Sequence, residues 1–92
     1  MYVSLSIMKP NTGQDQATIE SMHRFSDAAR SQEGIRLVTT LRDPESGDLI
    51  GLAVWETDAA ARAAGPALGA AVADDDFDTL VAEMRNMHLE EV

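Results

Sequence analysis

The chain has 92 residues, of which 16 are acidic and 7 are basic, and its formal net charge is −9. Such a charge repels nucleic-acid phosphates and anionic lipid headgroups, so neither nucleic acid nor a membrane is an expected partner. The chain has no cysteine, which excludes disulfides, thiolate metal sites and cysteine nucleophiles. A chain of this length builds one hydrophobic core, and we predict a single domain over residues 1–92.

The first predicted element is a strand near the N-terminus. Val3, Leu5 and Ile7 alternate with Ser4 and Ser6, and a period of two is typical of a strand with one apolar and one more polar face. The stretch lacks the basic start and unbroken apolar core of a signal peptide, and no apolar run in the chain approaches the roughly 20 residues of a membrane-spanning helix. We therefore expect a cytoplasmic location.

A helix is predicted next, followed by a β-hairpin. Apolar or small residues recur at steps of four, three and four between residues 12 and 31, which places them on one face of a helix. Residues 35–41 and 49–57 are rich in β-branched and aliphatic side chains, and the segment between them is dense in turn formers. These two segments are therefore predicted to be paired strands.

The alanine-rich segment after Asp58 is predicted to be helical but interrupted. Gly65-Pro66 should break or kink it, because proline lacks the amide that a helix interior requires. Asp74-Asp75-Asp76 suits the first turn of a further helix, where carboxylates meet the positive end of the helix dipole. Alternating polarity over residues 84–92 then predicts a last strand.

Strand alternation divides the predicted sheet into two faces. We expect the helices to cover the apolar face, which contains Val3, Leu5, Ile7, Leu52, Val54, Met87 and Leu89. The other face is mixed and contains Ser4, Ser6, Val38, Thr40, Gly51, Ala53, Trp55, Asn86 and His88. A sheet that is apolar on one face and mixed on the other predicts a homodimer.

Three segments near the middle of the chain carry a family resemblance: Gly34-Ile35-Arg36, Arg42-Asp43-Pro44-Glu45-Ser46-Gly47 and Ala53-Val54-Trp55-Glu56-Thr57. Together with the element order, they resemble the antibiotic biosynthesis monooxygenase-like family of the dimeric α+β barrel superfamily. The resemblance implies an α+β, ferredoxin-like βαββαβ subunit with a four-stranded antiparallel sheet. It further implies that two such sheets pack face to face to form a dimeric α+β barrel.

For function, the resemblance implies a cofactor-independent monooxygenase that acts on a small aromatic or polyketide-like molecule without metal or flavin. Haem-degrading relatives carry an asparagine on the first strand and a tryptophan and a histidine on the helix after the third strand. This chain has none of them at those places, so haem chemistry is not expected. The alternative is a non-catalytic dimeric module that binds a small molecule or supports another assembly, because few residues are available to build a catalytic site.

The candidate catalytic residues are His88, Asn86 and Trp55. His88 is the candidate base because imidazole titrates near neutral pH, and Asn86 lies beside it on the same strand face. Trp55 ends the third strand, where its indole would line a cavity and position a bound oxygen. Two of these residues also have a structural interpretation: His88 at a dimer interface or sheet edge, and Trp55 in the core beneath the second helix.

No metal site and no cofactor site is expected. The acidic cluster at residues 74–78 lacks the glycine and the terminal glutamate of a calcium loop and fits helix capping instead. No glycine-rich phosphate loop is present either.

Overall fold

The computed structural model describes the whole chain, residues 1–92. Its elements in chain order are β1 (Tyr2–Pro10), α1 (Asp15–Arg30), β2 (Ile35–Arg42), β3 (Leu49–Trp55), α2 (Asp58–Ala71), α3 (Phe77–Leu80) and β4 (Val81–Glu90). The strands form one antiparallel sheet in the order β2-β3-β1-β4. This arrangement confirms the predicted α+β, ferredoxin-like βαββαβ fold.

The connection from α1 to β2 depends on a glycine. Gly34 has a φ of +85°, a conformation that L side chains rarely adopt. A Cβ atom at this position would also lie 2.6 Å from the Cβ of Ala60 on α2. Gly34 therefore permits both the turn into β2 and the close approach of α2.

The break predicted at Gly65-Pro66 is wrong, because α2 continues through it without interruption. Proline at position 66 removes the amide that would have bonded the carbonyl of Arg62. Arg62, Gly65 and Pro66 are all exposed, so water can reach that carbonyl. The helix therefore continues because the missing hydrogen bond lies on its solvent side.

The separate helical piece predicted at the acidic cluster is confirmed as α3, a single turn, but Asp74-Asp75-Asp76 precede it and do not form its first turn. Asp76 caps it, since its carboxylate accepts hydrogen bonds from the backbone amides of Asp78 and Thr79. The last strand begins at Val81, three residues before the predicted start at Met84. No helix of the chain combines the length and the hydropathy needed to cross a bilayer.

The helices cover the mixed face of the sheet, so our expectation that they cover the apolar face is wrong. Trp55, Ala53 and Val38 of the mixed face are buried with Ala64 and Leu68 of α2 in one core cluster. A second buried cluster joins the strand residues Met8, Leu49 and Val81 to helix residues Met22 and Leu80. Alternation indicated correctly which residues share a face, but it carries no information on which element covers that face.

The opposite face of the sheet, which we call the open face, has no helix over it. Strand pairing arranges it in three rows across β2, β3, β1 and β4: Leu37-Val54-Val3-Leu89, Thr39-Leu52-Leu5-Met87 and Leu41-Ile50-Ile7-Arg85. Only Thr39 and Arg85 in these rows are polar. Leu37, Leu41 and Leu89 are 50%, 48% and 46% exposed, so the face is apolar and uncovered in the single chain.

Candidate cavity between the sheet and the helices

A cavity of about 300 Å³ lies between the mixed face and the helices. All four strands, α1, α3 and the segment before α3 contribute to its walls. The residues that line it include Ser4, Ser6, Met8, Ser21, Met22, Phe25, Ser26, Gly51, Ala53, Val72, Phe77, Met84 and Asn86.

The cavity exists because the central strands carry small side chains where they pass beneath α1. Ser4 and Ser6 of β1 pair with Ala53 and Gly51 of β3, so four adjacent positions on this face are small. At Gly51, an added Cβ would lie 3.4 Å from the terminal methyl of Met22 on α1. Met22 therefore reaches close to the sheet at Gly51, and the cavity is the space that the small side chains leave around it.

The walls of the cavity are apolar, and its polar groups are uncharged. Methionine, phenylalanine and valine side chains from the strands and helices form most of the surface, and serine hydroxyls and one asparagine amide provide polar groups. No charged side chain lines the cavity. Because a charged ligand buried here would lack a partner, the cavity suits an uncharged, mostly apolar molecule.

One hydrogen-bonded pair stands on the sheet side of the cavity. Ser6 and Asn86 are direct neighbours across β1 and β4. The Oγ of Ser6 donates a hydrogen bond of 2.7 Å to the Oδ1 of Asn86. Asn86 Nδ2 has no hydrogen-bond partner within the chain, so the amide retains donors for a ligand.

On the helix side, Asp75 ties the segment before α3 to α1. Its carboxylate accepts a 2.6 Å hydrogen bond from Ser21 Oγ and forms a 2.6 Å ion pair with Arg24. The Asp75 side chain is only 15% exposed. Val72 and Phe77 at the two ends of this segment line the cavity, so this Asp75 clasp holds one of its walls in place.

The structure places the predicted site residues in three different environments. Asn86 lines the cavity and is also exposed to solvent. His88 is exposed beside Ser4 and stacks on Tyr2, with ring centroids 6.0 Å apart and ring planes 13° apart. Trp55 is 1% exposed and lies in the core, outside the cavity lining. The structure therefore brings neither His88 nor Trp55 into the cavity wall beside Asn86.

Sequence reasoning missed the serines of α1 as cavity residues. Ser21 and Ser26 are 1% and 4% exposed, and both lie on the buried side of the helix. The available signal was their spacing, since Ser21, Met22, Phe25 and Ser26 fall on one helical face. Hydroxyls on the buried face of a helix indicate either a polar contact or a ligand cavity.

The two acidic groups with altered titration lie away from the cavity. Hydrogen bonds from the backbone of Glu45 and from Ser46 lower the pKa of Asp43 in the turn between β2 and β3. Hydrogen bonds from the side chain and backbone of Thr79 lower the pKa of Asp76 at the start of α3. Both pKa shifts reflect turn and cap geometry, because local hydrogen bonds stabilise the charged carboxylates. Neither carboxylate lines the cavity.

Sequence comparison gives no match to a protein-family model or to a curated protein. Structural comparison gives matches along nearly the whole chain. Rv0793 from Mycobacterium tuberculosis superimposes with a TM-score of 0.85 at 13% identity, over 99% of this chain and 94% of that one.

Two further structures carry functional names. A Deinococcus radiodurans protein, provisionally named an antibiotic biosynthesis monooxygenase, has a TM-score of 0.84 at 16% identity and covers 100% and 93% of the two chains. SnoaB from Streptomyces nogalater, a cofactor-independent oxygenase, has a TM-score of 0.76 at 15% identity and covers 99% and 92%. The chain therefore has the α+β subunit fold of these proteins, which confirms, at the level of fold, its resemblance to the antibiotic biosynthesis monooxygenase-like family.

Proposed function

We propose that the chain is a cytoplasmic homodimer whose subunits each bind a small, uncharged, aromatic or polyketide-like molecule and oxygenate it without a cofactor. The observation that carries this proposal is the cavity of about 300 Å³, which has apolar walls and the polar Ser6–Asn86 pair. The fold shared with SnoaB, a cofactor-independent oxygenase, supports the reaction class.

The proposed reaction begins when a base removes a proton from a carbon that a neighbouring carbonyl or hydroxyl group activates. The carbanion gives its electrons to dioxygen, and a C–O bond forms as a hydroperoxide. Loss of water then leaves a carbonyl, so that a methylene group and dioxygen yield a ketone and one water. The substrate supplies all the electrons, and no other reductant is consumed.

Each candidate residue has a distinct proposed role. Asn86 donates a hydrogen bond to the substrate oxygen on which negative charge develops. His88 is the candidate base and lies two residues further along the same face of β4, so it acts on a substrate that extends past Ser4 towards Tyr2. Trp55 acts indirectly, by holding β3 against α2.

Anthrone is a suitable probe because its methylene group is activated by a carbonyl across the ring, and because its enol tautomer carries a hydroxyl group. We expect the protein to accelerate oxygen uptake and anthraquinone formation over a protein-free sample, with the chelator-treated protein equally active. Replacing Asn86 or His88 by alanine should slow turnover roughly 100-fold. Unchanged turnover in the His88→Ala variant, with an unchanged circular dichroism spectrum, would remove His88 from the mechanism.

A second candidate function is non-catalytic binding of the same kind of molecule. The observation that favours it is that no titratable side chain lines the cavity, so no wall residue can transfer a proton. Mass spectrometry of the purified protein separates the two candidates. A retained small molecule, together with no oxygen uptake on anthrone, would favour the binding module.

The proposed dimer follows from the open face. Removing its rows of aliphatic residues from water would stabilise an assembly, because each Å² of apolar surface that is buried contributes about 25 cal/mol to the free energy of association. A second copy offers an equally apolar, self-complementary face. Packing of the two open faces would also leave both helix-side cavities free for ligand.

A further inference from the structure

We infer that Ser6 and Asn86 form a hydroxyl-recognition site, which selects cavity ligands that carry a hydroxyl group. This inference rests on the proposed use of the cavity for a small molecule and specifies the chemical group that the cavity selects. It assigns the selection to two neighbouring residues on β1 and β4, one of which, Ser6, has no other role in the proposed reaction.

The hydrogen-bonding capacity of the pair supports the inference. In the structure, Ser6 Oγ donates its hydrogen bond to Asn86 Oδ1, which leaves the Ser6 oxygen as an acceptor and the Asn86 Nδ2 group as a donor. If the amide is turned over, Asn86 donates to Ser6, and the Ser6 hydroxyl becomes the free donor while Asn86 Oδ1 accepts. In both orientations, the pair presents one donor and one acceptor to the cavity.

A hydroxyl group is the smallest neutral group that can bond to both the free donor and the free acceptor of the Ser6–Asn86 pair. Its oxygen accepts a hydrogen bond from the donor while its proton is donated to the acceptor. A ketone oxygen only accepts and leaves the acceptor of the pair unmatched, and a fluorine atom matches neither well. An ammonium group would bring a charge into a cavity whose lining holds no carboxylate.

The pair is also held in position before a ligand binds. Ser6 and Asn86 face each other in the antiparallel register of β1 and β4, and their mutual hydrogen bond restricts both side chains. Ser21 differs, because its proton is already bound by Asp75 and the residue is 1% exposed. A ligand hydroxyl placed against the apolar walls would lose its hydrogen bonds to water without replacement.

The test compares 1-naphthol with 1-fluoronaphthalene, which has nearly the same shape but no hydrogen-bond donor. Equilibrium dialysis measures the Kd of each for the intact protein. We expect 1-naphthol to bind roughly fivefold more tightly, the effect of one to two net hydrogen bonds. In the Ser6→Ala and Asn86→Leu variants the ratio should fall to near one, and the double variant should show no further loss because the two residues act as a pair.

A matched Ser31→Ala variant, at the exposed C-terminal cap of α1, should keep the wild-type ratio. Circular dichroism checks that each variant is folded, and Ser6→Ala is the milder change if Asn86→Leu is unstable. Equal Kd values for the two probes in the wild type would overturn the inference but leave the proposed ligand cavity standing. Failure of both probes to bind would overturn both, and a preference that survives in both variants would assign it to other residues.

Discussion

The two faces of this sheet differ in the size of their side chains, and this difference underlies the separate roles that we propose for them, dimer assembly and ligand binding. The open face carries rows of mostly large aliphatic side chains, whereas the face under the helices carries serine, glycine and alanine at its centre. The first surface suits packing against a flat apolar partner. The second leaves a cavity below α1, because small residues cannot fill the space between strand and helix. Side-chain size therefore distinguishes the two faces more clearly than polarity does.

The substitution with the largest expected effect is in the core beneath α2, where the helix-covered face is tightly packed. Trp55→Ala removes a side chain that is 1% exposed and touches the core beneath α2, so we expect a loss of about 3–5 kcal/mol in the free energy of unfolding. Urea denaturation at a fixed protein concentration measures it. A loss below about 1 kcal/mol would show that Trp55 is not packed in the core, and would revive the interpretation in which it lines a cavity.

The next effect tests the open face. Leu5 lies in its central row, and Leu5→Lys would bury an unpaired ammonium in each half of the proposed dimer. We expect the dimer to dissociate at least about a hundredfold more readily, which corresponds to roughly 3 kcal/mol. Sedimentation velocity across a concentration series measures the change.

The control adds the same charge outside that face. Thr12→Lys alters an exposed residue between β1 and α1, so dimerisation should remain at the wild-type level. If both variants behave alike, the open face is not the interface. The open face would then not be the surface through which two copies assemble.

The smallest expected effect concerns the Asp75 clasp, the contacts of Asp75 with Ser21 and Arg24 that hold one wall of the cavity in place. Asp75→Asn keeps the shape of the side chain but weakens its bonds to Ser21 and Arg24. Because Arg24 is 49% exposed, we expect the local free energy of opening of this segment to fall by only about 1 kcal/mol. The change should be seen as faster amide hydrogen exchange across residues 72–76. Asp74→Asn changes an exposed neighbour and should leave exchange unaltered. Equal exchange in both variants would contradict a role for the clasp.

Much of the fold could be predicted from periodicity and turn residues alone. Alternation at Val3, Leu5 and Ile7 correctly grouped the residues of each face, and the acidic cluster correctly marked the start of α3. The covered face was assigned wrongly, because an apolar face indicates burial without indicating what buries it. A partner sheet and a pair of helices leave the same pattern in the sequence.

The candidate site was harder to predict, since it depends on contacts between strands. Asn86 was identified from its strand face, but its bond to Ser6 requires the register of β1 against β4, which a sequence does not fix by itself. The cavity arises from volume that is missing at Ser4, Gly51 and Ala53. Single small residues have no distinctive pattern in the sequence. The cavity becomes apparent only when the fold brings these residues side by side.

The central claim is that the open face packs against a second copy while the helix-covered face holds the ligand cavity. A crystal structure of the untreated protein tests this claim most directly. We expect two subunits packed through their open faces, with a cavity in each between the sheet and α1 that contains water or a small molecule beside Ser6 and Asn86. A cavity filled by side chains, together with open faces left in solvent, would contradict it.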